Sequence, residues 1–197
     1  MGNESAIVIT LVEKAQRGNR EAFQSLVSLY QEDIYKMMFY RTYSKMDAED
    51  LTQEVFVQAF RKIKSLENVE RFRSWLFSIG INRCRDLKRK NRLLSIFGMG
   101  SWGNQDDFED VSSSTSDRAQ GNIQQEKFWI QIKKLLHELS ASEREVFTMR
   151  FMDQLKIGEI AVVLNKNEST VKTHLYRALR KIKKKSSTLQ EFRESLS

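Results

Sequence analysis

Basic side chains are concentrated near the C-terminal end of the chain, between residues 156 and 185. This stretch holds Lys156, Lys166, Lys172, Arg177, Arg180, Lys181, Lys183, Lys184 and Lys185. Only Glu159 and Glu168 oppose them, which leaves a local net charge of about +7. Lysine and arginine donate hydrogen bonds to phosphate oxygens, and an excess of this size attracts polyanions strongly. The pattern predicts nucleic-acid binding, and a solvated amphipathic helix with a basic end is the alternative interpretation.

Two short helices separated by a turn at residues 165–167 are expected to position these charges. The apolar face of the first helix consists of Ile157, Ile160, Ala161 and Leu164. The apolar stripe of the second helix consists of Val171, Leu175, Ala178, Leu179 and Ile182. Its opposite side carries Ser169, Thr173, Arg177, Arg180 and Lys184, flanked by Lys172 and Tyr176. A short helix, a turn and a second helix with a basic outer face are typical of a DNA-binding helix-turn-helix.

The composition of the whole chain excludes several other classes of protein. Its 197 residues are enough for one domain or two small ones, and its net charge of +7 favours an acidic partner. Cys84 is the single cysteine, so a disulfide framework is impossible and a reducing cytosol fits. No apolar run is long enough to span a membrane, and the start lacks the basic region of a signal peptide. We therefore expect a cytoplasmic protein without membrane insertion.

The absence of proline and the scarcity of glycine favour long helices, and we expect four of them in the N-terminal half. The first two run from Ala6 to Arg17 and from Arg20 to Ser44, and the third opens at Asp47 as its N-cap. The inward side of the third helix is formed by Leu51, Val55, Phe56, Ala59 and Ile63. Its other side carries Asp50, Gln53, Glu54, Val57 and Arg61. This partly acidic stripe is either ordinary solvated surface or a docking face for a basic partner.

The fourth helix, from Phe72, starts apolar and ends basic. Its first half is apolar nearly all round, with Phe72, Trp75, Leu76, Phe77, Ile79 and Ile81, which predicts burial. Its second half carries Arg83, Arg85, Lys88, Arg89, Lys90 and Arg92 against Asp86 alone. A second nucleic-acid contact explains this change. The alternative is a solvated helix end whose cations suit the helix dipole.

A change of composition divides the chain into two domains. Residues 98–122 are rich in glycine, serine and acids and show no sustained periodicity, so we interpret them as a flexible acidic linker. The predicted fold is all-α, with an N-terminal helical domain at 1–97 and a second domain at 123–185. The second domain contains a helix at 123–139, a helix capped by Ser140 or Ser142, and the helix-turn-helix. Residues 186–197 are expected to form a frayed tail.

The sequence lacks the motifs of the common enzyme classes. No glycine-rich phosphate loop, dinucleotide-binding turn or nucleophile elbow is present. The carboxylates Asp47, Glu49, Asp50 and Glu54 suit a nuclease metal site, but their spacing also fits a plain helix surface and no histidine accompanies them. His137, His174 and Cys84 do not cluster in sequence. We therefore predict no enzymatic activity, no metal and no cofactor.

Four segments in this order resemble a bacterial sigma factor of the extracytoplasmic-function group. RGNREAFQSLVSLY is similar to the opening helices of that family, and DAEDLTQEVFVQAFRKI to the segment that docks on the polymerase. FRSWLFSIGINRCRDLKRK resembles the promoter −10 helix. LSASEREVFTMRFMDQLKIGEIAVVLNKNESTVKTHLYRALRKIKK resembles the −35 reading domain. The resemblance implies an alternative sigma factor that initiates transcription of a specific regulon.

The resemblance also implies roles for particular residues. The polymerase-contact positions are Asp50, Gln53, Glu54, Val57 and Arg61. Asn82 is implied to contact the −10 element itself. The residues implied to hold nearby phosphates are Arg83, Arg85, Lys88 and Arg89. Residues 65–72 correspond to the loop that receives a flipped base of this element. The −35 positions are Glu168, Ser169, Thr170, Lys172, Thr173, His174 and Arg177. The implied partners are promoter DNA, the β′ clamp helices and β flap of core RNA polymerase, and an anti-sigma factor, and polymerase binding would associate the protein with the nucleoid.

Two other functions account for part of the pattern. A transcription regulator that binds DNA without polymerase explains residues 157–185 equally well, but not the −10-like helix or the acidic stripe. An adaptor that docks partner proteins through residues 50–54 explains the stripe alone. Complex formation with core polymerase separates a sigma factor from the regulator, and promoter-specific initiation separates it from the adaptor.

Overall fold

The structure is a computed structural model that describes residues 2–96, 132 and 135–184. Its α-helices are α1 (Gly2–Gln16), α2 (Arg20–Thr42), α3 (Lys45–Lys62), α4 (Phe72–Ile96), α5 (Ala141–Phe151), α6 (Ile157–Leu164) and α7 (Glu168–Lys184). Two 3-10 turns, Ile63–Ser65 and Val69–Arg71, connect α3 to α4. The described part contains no strand, as the all-α prediction required. The predicted linker, most of the helix predicted at 123–139, and the tail lie outside the described residues.

Polar side chains at the helix ends fix several boundaries. Asn19 Oδ1 accepts a hydrogen bond from Ala22 N at 2.8 Å and starts α2, after Gly18 has turned the chain at φ +94°. Ser140 and Glu143 form a reciprocal capping box at the start of α5, which confirms Ser140 as the cap.

The prediction that Asp47 caps the third helix is wrong. Ser44 is the N-cap, and its hydroxyl oxygen accepts from Asp47 N at 3.2 Å. The chain leaves α2 through Tyr43, which adopts the left-handed conformation at φ 54°. Because this single residue turns the chain out of α2, the N-cap of α3 lies three residues earlier than predicted.

The first domain packs α1 to α4 around one core. Leu26, Ile34, Met37, Val55 and Leu76 are among its fully buried side chains. Helix α4 approaches α2 closely at Gly80, where a Cβ atom would lie 2.3 Å from the Met37 Cε methyl. Glycine at this position therefore lets the two helices pack side by side.

The second domain has a smaller core of its own and also shares the core of the first. Phe147, Ala178 and Ile182 pack with Ile132, Leu136 and Leu139. On the other side, residues of α5, α6 and α7 join the core of the first domain, with α6 lying against α4. Helix α6 is apolar on most of its surface because it is placed between α4 and α7. None of the described helices combines the length and the apolarity needed to cross a membrane.

Candidate nucleic-acid and protein-binding surfaces

The turn between α6 and α7 is built by two asparagines. Asn165 ends α6 in the left-handed conformation at φ 51°, a conformation that asparagine tolerates better than most residues. Asn167 Oδ1 accepts from Thr170 N at 2.8 Å and from Ser169 Oγ at 2.9 Å, which caps the start of α7. The predicted turn at 165–167 is confirmed, and it fixes the direction in which α7 leaves the domain.

One side of α7 is buried and the other is free to meet a ligand. Val171, Ala178 and Ile182 are buried, as the apolar stripe predicted. The exposed predicted residues are Glu168, Ser169, Lys172, Thr173 and Arg177, whereas Thr170 and His174 are half-buried. Exposed side chains with donors and a basic charge suit contact with base edges and phosphates in a major groove.

Two further members of α7 differ in their surroundings. Tyr176, which the sequence placed at the flank of the outer side, is 71% exposed, and its neighbours on the helix, Lys172 and Arg177, are exposed as well. Lys181 instead donates a hydrogen bond of 2.6 Å to the buried carboxylate of Glu143. That hydrogen bond lowers the pKa of Glu143, so Lys181 has a structural partner within the domain.

The side chains at the basic end of α4 point in three directions: into solvent, toward α3 and toward the second domain. Asn82 and Arg89 are exposed, and Arg89 pairs with Asp86 at 2.9 Å on the same surface. Arg83 instead turns toward α3, where its Nε donates to Gln58 Oε1 at 2.7 Å and a guanidinium nitrogen lies 3.9 Å from Glu54. Because side chains one residue apart diverge by about 100° around a helix, the basic run does not form one surface.

Arg85 and Lys88 point toward the second domain. Arg85 Nη2 donates to Glu145 Oε1 on α5 at 2.6 Å and also contacts Asn82 Oδ1 at 3.4 Å. Much of Lys88 is exposed, yet desolvation of its ammonium lowers its pKa, with the nearby charges of Arg41 and Arg144 acting in the same direction. The five predicted −10 residues are thus close in sequence but contact different neighbours.

The stripe on α3 is one continuous exposed surface. Asp50, Gln53, Glu54, Val57 and Arg61 are all exposed along it. Met46 and Phe60, at 68% and 48% exposure, lie on the same side and were not identified from the sequence. Met46 lies four residues before Asp50 and Phe60 lies three residues after Val57. This helical spacing could have placed both on the exposed side of α3 from the sequence alone. An apolar centre bordered by carboxylates suits a protein partner with basic residues around an apolar patch.

The connection between α3 and α4 is held in place by α1. Gln16 Nε2 donates to the carbonyl oxygens of Ile63 and Leu66 at 2.9 and 2.7 Å. Asn68 Oδ1 accepts from Glu70 N at 2.9 Å, which forms the second 3-10 turn. Trp75 is half-buried against Phe72, with ring centroids 5.8 Å apart, so it packs in the domain rather than projecting from it.

Comparison with protein families assigns both domains. Residues 26–93 match the family described as Sigma-70 region 2, and residues 129–182 match Sigma-70, region 4. The first match covers α3 and most of α2 and α4, and the second covers α5, α6 and most of α7.

Similar proteins include two curated sigma factors. The ECF RNA polymerase sigma factor BldN of Streptomyces coelicolor is 32% identical over 180 residues, covering 90% of this chain and 65% of BldN. This chain therefore spans just under two thirds of the length of BldN. The ECF RNA polymerase sigma factor SigX of Bacillus subtilis is 31% identical over 173 residues, which is 87% of each chain.

A solved structure has the same fold. It is the sigma factor RpoE of Bartonella quintana in complex with the anti-sigma factor NepR. The two structures match with a TM-score of 0.59 and 21% sequence identity over 85% of this chain and 96% of the other. At this identity the likeness concerns the arrangement of the helices alone.

Proposed function

The chain belongs to the extracytoplasmic-function (ECF) sigma factors, and from this we propose how its three surfaces divide the work of promoter recognition. An alternative sigma factor of this kind directs promoter-specific transcription with core RNA polymerase. It is an initiation factor and not an enzyme. Its residues therefore act through binding energy, and the polymerase forms the bonds of the RNA.

The exposed stripe of α3 binds the β′ clamp helices of core polymerase. Its members are Asp50, Gln53, Glu54, Val57 and Arg61, with Met46 and Phe60 completing the apolar part. The observation that carries this assignment is an exposed apolar and acidic stripe on a chain of net charge +7. A DNA-binding regulator that acts without polymerase has no use for such a surface. The second domain binds the β flap.

The exposed part of α4 binds the −10 element. Asn82 contacts the element and Arg89 holds a neighbouring phosphate, while Arg85, Lys88 and Arg83 add positive charge around them. The anchored turns at residues 65–72 receive an unpaired base beside α4. Binding of that base offsets the few kcal/mol that unpairing and unstacking cost. Local opening of the −10 duplex therefore draws on binding energy.

The outer side of α7 reads the −35 element in the major groove. Ser169, Lys172, Thr173 and Arg177 present donors to base edges and phosphates. Glu168 and Thr170 border this surface at the start of the helix, and His174 lies at its margin. Tyr176 adds an apolar ring beside them, which suits contact with a thymine methyl group.

An anti-sigma factor and a cytoplasmic location complete the proposal. The chain acts in the cytoplasm and is associated with the nucleoid through the polymerase. An anti-sigma factor holds it when the regulon is silent. Support comes from the complex of RpoE of Bartonella quintana with the anti-sigma factor NepR, a protein of the same fold.

Run-off transcription with purified core polymerase on fragmented genomic DNA of the source organism tests the proposal. We expect new discrete transcripts that share upstream −35 and −10 elements and appear only when the protein is added. DNA binding by the protein alone, without new transcripts and without a stable complex with core polymerase, would leave an ordinary regulator instead.

A matched pair of variants tests the polymerase surface. Val57 and Leu29 are both 50% exposed, but Val57 lies in the stripe on α3 and Leu29 lies on α2. We expect Val57→Glu to weaken the complex with core polymerase at least tenfold, because it places a charge in the apolar centre of the stripe, and Leu29→Glu to leave it unchanged. Equal effects of the two variants would contradict the assignment.

A further inference from the structure

One end of the first domain carries positive charge that the proposed −10 and −35 surfaces do not use. It is built by residues 14–20, at the end of α1 and the start of α2, and by residues 61–66, at the end of α3. Each of these two segments contains three basic residues and no acidic one. The six basic residues are all exposed, and they are Lys14, Arg17, Arg20, Arg61, Lys62 and Lys64.

The side chain of Gln16 joins the two segments. Its Nε2 donates to the carbonyl oxygens of Ile63 and Leu66 at 2.9 and 2.7 Å. Because Arg17 follows Gln16 directly, its Cα lies about 3.8 Å from the Cα of the residue that makes these contacts. Lys64 lies between the two acceptors in the chain. Arg17 and Lys64 are therefore brought together at the start of the turns proposed to receive the −10 base.

Helix α2 brings a third cation to the same place. The rings of Phe23 and Phe60 pack edge to face with their centroids 5.0 Å apart, so the start of α2 lies against the end of α3. Arg20 precedes Phe23 by three residues, which is less than one helical turn. With the neighbouring Lys62, these cations form a surface that we call the basic corner, and its members are Arg17, Arg20, Lys62 and Lys64.

Within the part of the chain that the structure describes, none of the four side chains of the basic corner forms an ion pair or a hydrogen bond. Glu21 and Glu67 border the corner in sequence but are not paired with it there. By contrast, Arg41, Arg83 and Arg85 of the same domain each donate to an acceptor. Like charges held together without carboxylates repel one another, so the arrangement favours an external anion.

The basic corner suits a nucleic acid better than a protein. Its apolar neighbours Ile63 and Leu66 are buried, so the corner presents charge without an apolar anchor. Protein interfaces are depleted in lysine and depend on apolar and aromatic anchors, whereas a phosphate backbone is bound by cations alone. The anion that fits is therefore a nucleic-acid strand.

We propose that the basic corner binds the phosphates of the promoter strand immediately downstream of the base that residues 65–72 receive. The proposal rests on the −10 role that the proposed function gives to α4 and to these turns. The corner stands at the α3 end of this connection and α4 begins at its other end. A strand that is bound along α4 and delivers a base to the turns therefore continues onto the corner.

The contact has a defined consequence for promoter opening. Phosphate contacts carry no sequence information, so the corner holds any sequence downstream of the −10 element. Because the base received by residues 65–72 is unpaired, the strand that reaches the corner beside it is single. The corner therefore stabilises the opened strand without adding to the sequence that the protein reads.

Anisotropy titrations of the full-length chain with two single-stranded probes test the proposal. The short probe ends at the −10 element of a promoter found by run-off transcription, and the long probe continues for several nucleotides downstream. The test variant, Arg17→Gln/Lys64→Gln, removes two charges from the corner. The control, Lys36→Gln/Lys45→Gln, removes two charges from exposed positions toward the other end of α2 and α3. Circular dichroism checks the helix content of both variants.

We expect the wild type and the control to bind the long probe about three- to tenfold more tightly than the short one. The slope of log K against log salt concentration should be steeper for the long probe, by about 0.7 for each phosphate contact. The test variant should lose most of both differences while its affinity for the short probe stays the same. An extension of scrambled sequence should bind as well as the natural one.

Three results overturn the proposal: no gain from the extension, a full gain in the test variant, or no binding of either probe. A test variant that keeps the gain but binds core polymerase more weakly assigns the corner to the polymerase instead. Run-off transcription reports the sigma function separately. Transcripts from the wild type without a gain from the long probe overturn the corner alone, whereas absence of transcripts overturns the proposed function.

Discussion

The basic end of α4 and the outer side of α7 have similar charge patterns but different surroundings. On α7 the residues of the outer side project into solvent, and Arg177 and Tyr176 are exposed. On α4, Arg83 is tied to Gln58 and Arg85 to Glu145. The difference arises because α4 packs against α2, α3 and α6, whereas α7 packs, within the described residues, against α5, α6 and the apolar side chains of Ile132, Leu136 and Leu139. A basic helix in the centre of a molecule shares its charges with neighbours.

The largest expected effect is on the free energy of unfolding, and it distinguishes an aromatic residue of α4 from one of α7. Phe77 is fully buried, with the Arg73 guanidinium 4.9 Å from its ring centre. We expect Phe77→Ala to lower the free energy of unfolding by about 3–5 kcal/mol through lost burial and a cavity. Tyr176→Ala should change it by less than about 0.5 kcal/mol, because that ring is exposed. Urea denaturation followed by circular dichroism measures both, and similar losses would refute the contrast.

The next effect concerns DNA affinity on α7. We expect Arg177→Ala to weaken −35 binding by about 1–3 kcal/mol while the free energy of unfolding stays the same, because the Arg177 side chain is exposed on the outer side of α7. Fluorescence anisotropy at fixed salt measures the affinity. Lys181→Ala serves as the comparison, since Lys181 pairs with Glu143, and it should lower stability more than affinity. If Lys181→Ala weakened DNA binding more than Arg177→Ala did, the roles assigned to the two side chains would be wrong.

A smaller effect is expected for Arg85 on α4. Arg85→Ala removes a proposed phosphate contact but also the hydrogen bond with Glu145 that must be given up when phosphate binds, so the two losses partly offset each other. We expect weakening of −10 binding by about 0.5 kcal/mol in the wild-type chain and by about 1 kcal/mol more in a Glu145→Gln background. Anisotropy titrations of the four proteins give the coupling. Additive changes would mean that Glu145 and DNA do not compete for Arg85.

The last effect appears only at high pH, at the end of α2 beside Arg41. Burial raises the pKa of Tyr43 to about 12 from its usual 10.0, although the nearby guanidiniums of Arg41 and Arg144 oppose this. A raised folded pKa means that the contribution is complete below pH 10 and is lost as the pH rises toward 12. We expect a loss of order 1 kcal/mol in unfolding free energy over this range. Tyr43→Phe should remove that part of the pH dependence, and an unchanged profile would assign it elsewhere.

Local patterns were enough to predict most of the helices and the inward sides of α3 and α7. Val55 and Ala59 on α3 and Val171 on α7 are buried as their spacing predicted, because helical periodicity depends only on neighbours in sequence. The start of α3 was wrong because a residue before the helix, Tyr43, took a left-handed conformation that no charge pattern signals. Met46 and Phe60 were missed because large apolar residues are expected in a core, although their spacing from Asp50 and Val57 places them on the exposed side of α3.

The sequence by itself determined the all-α class, the two basic helices and the family to which they belong. Each of these depends on residue type and short-range spacing. Only the tertiary structure decided which basic residues remain available. Asp153 was an unremarked acid in the sequence, and its burial against Arg41, more than a hundred residues away, depends on how two domains meet. Pairing between distant charges has no local period, so the contact between Arg41 and Asp153 became visible only when the helices were packed together.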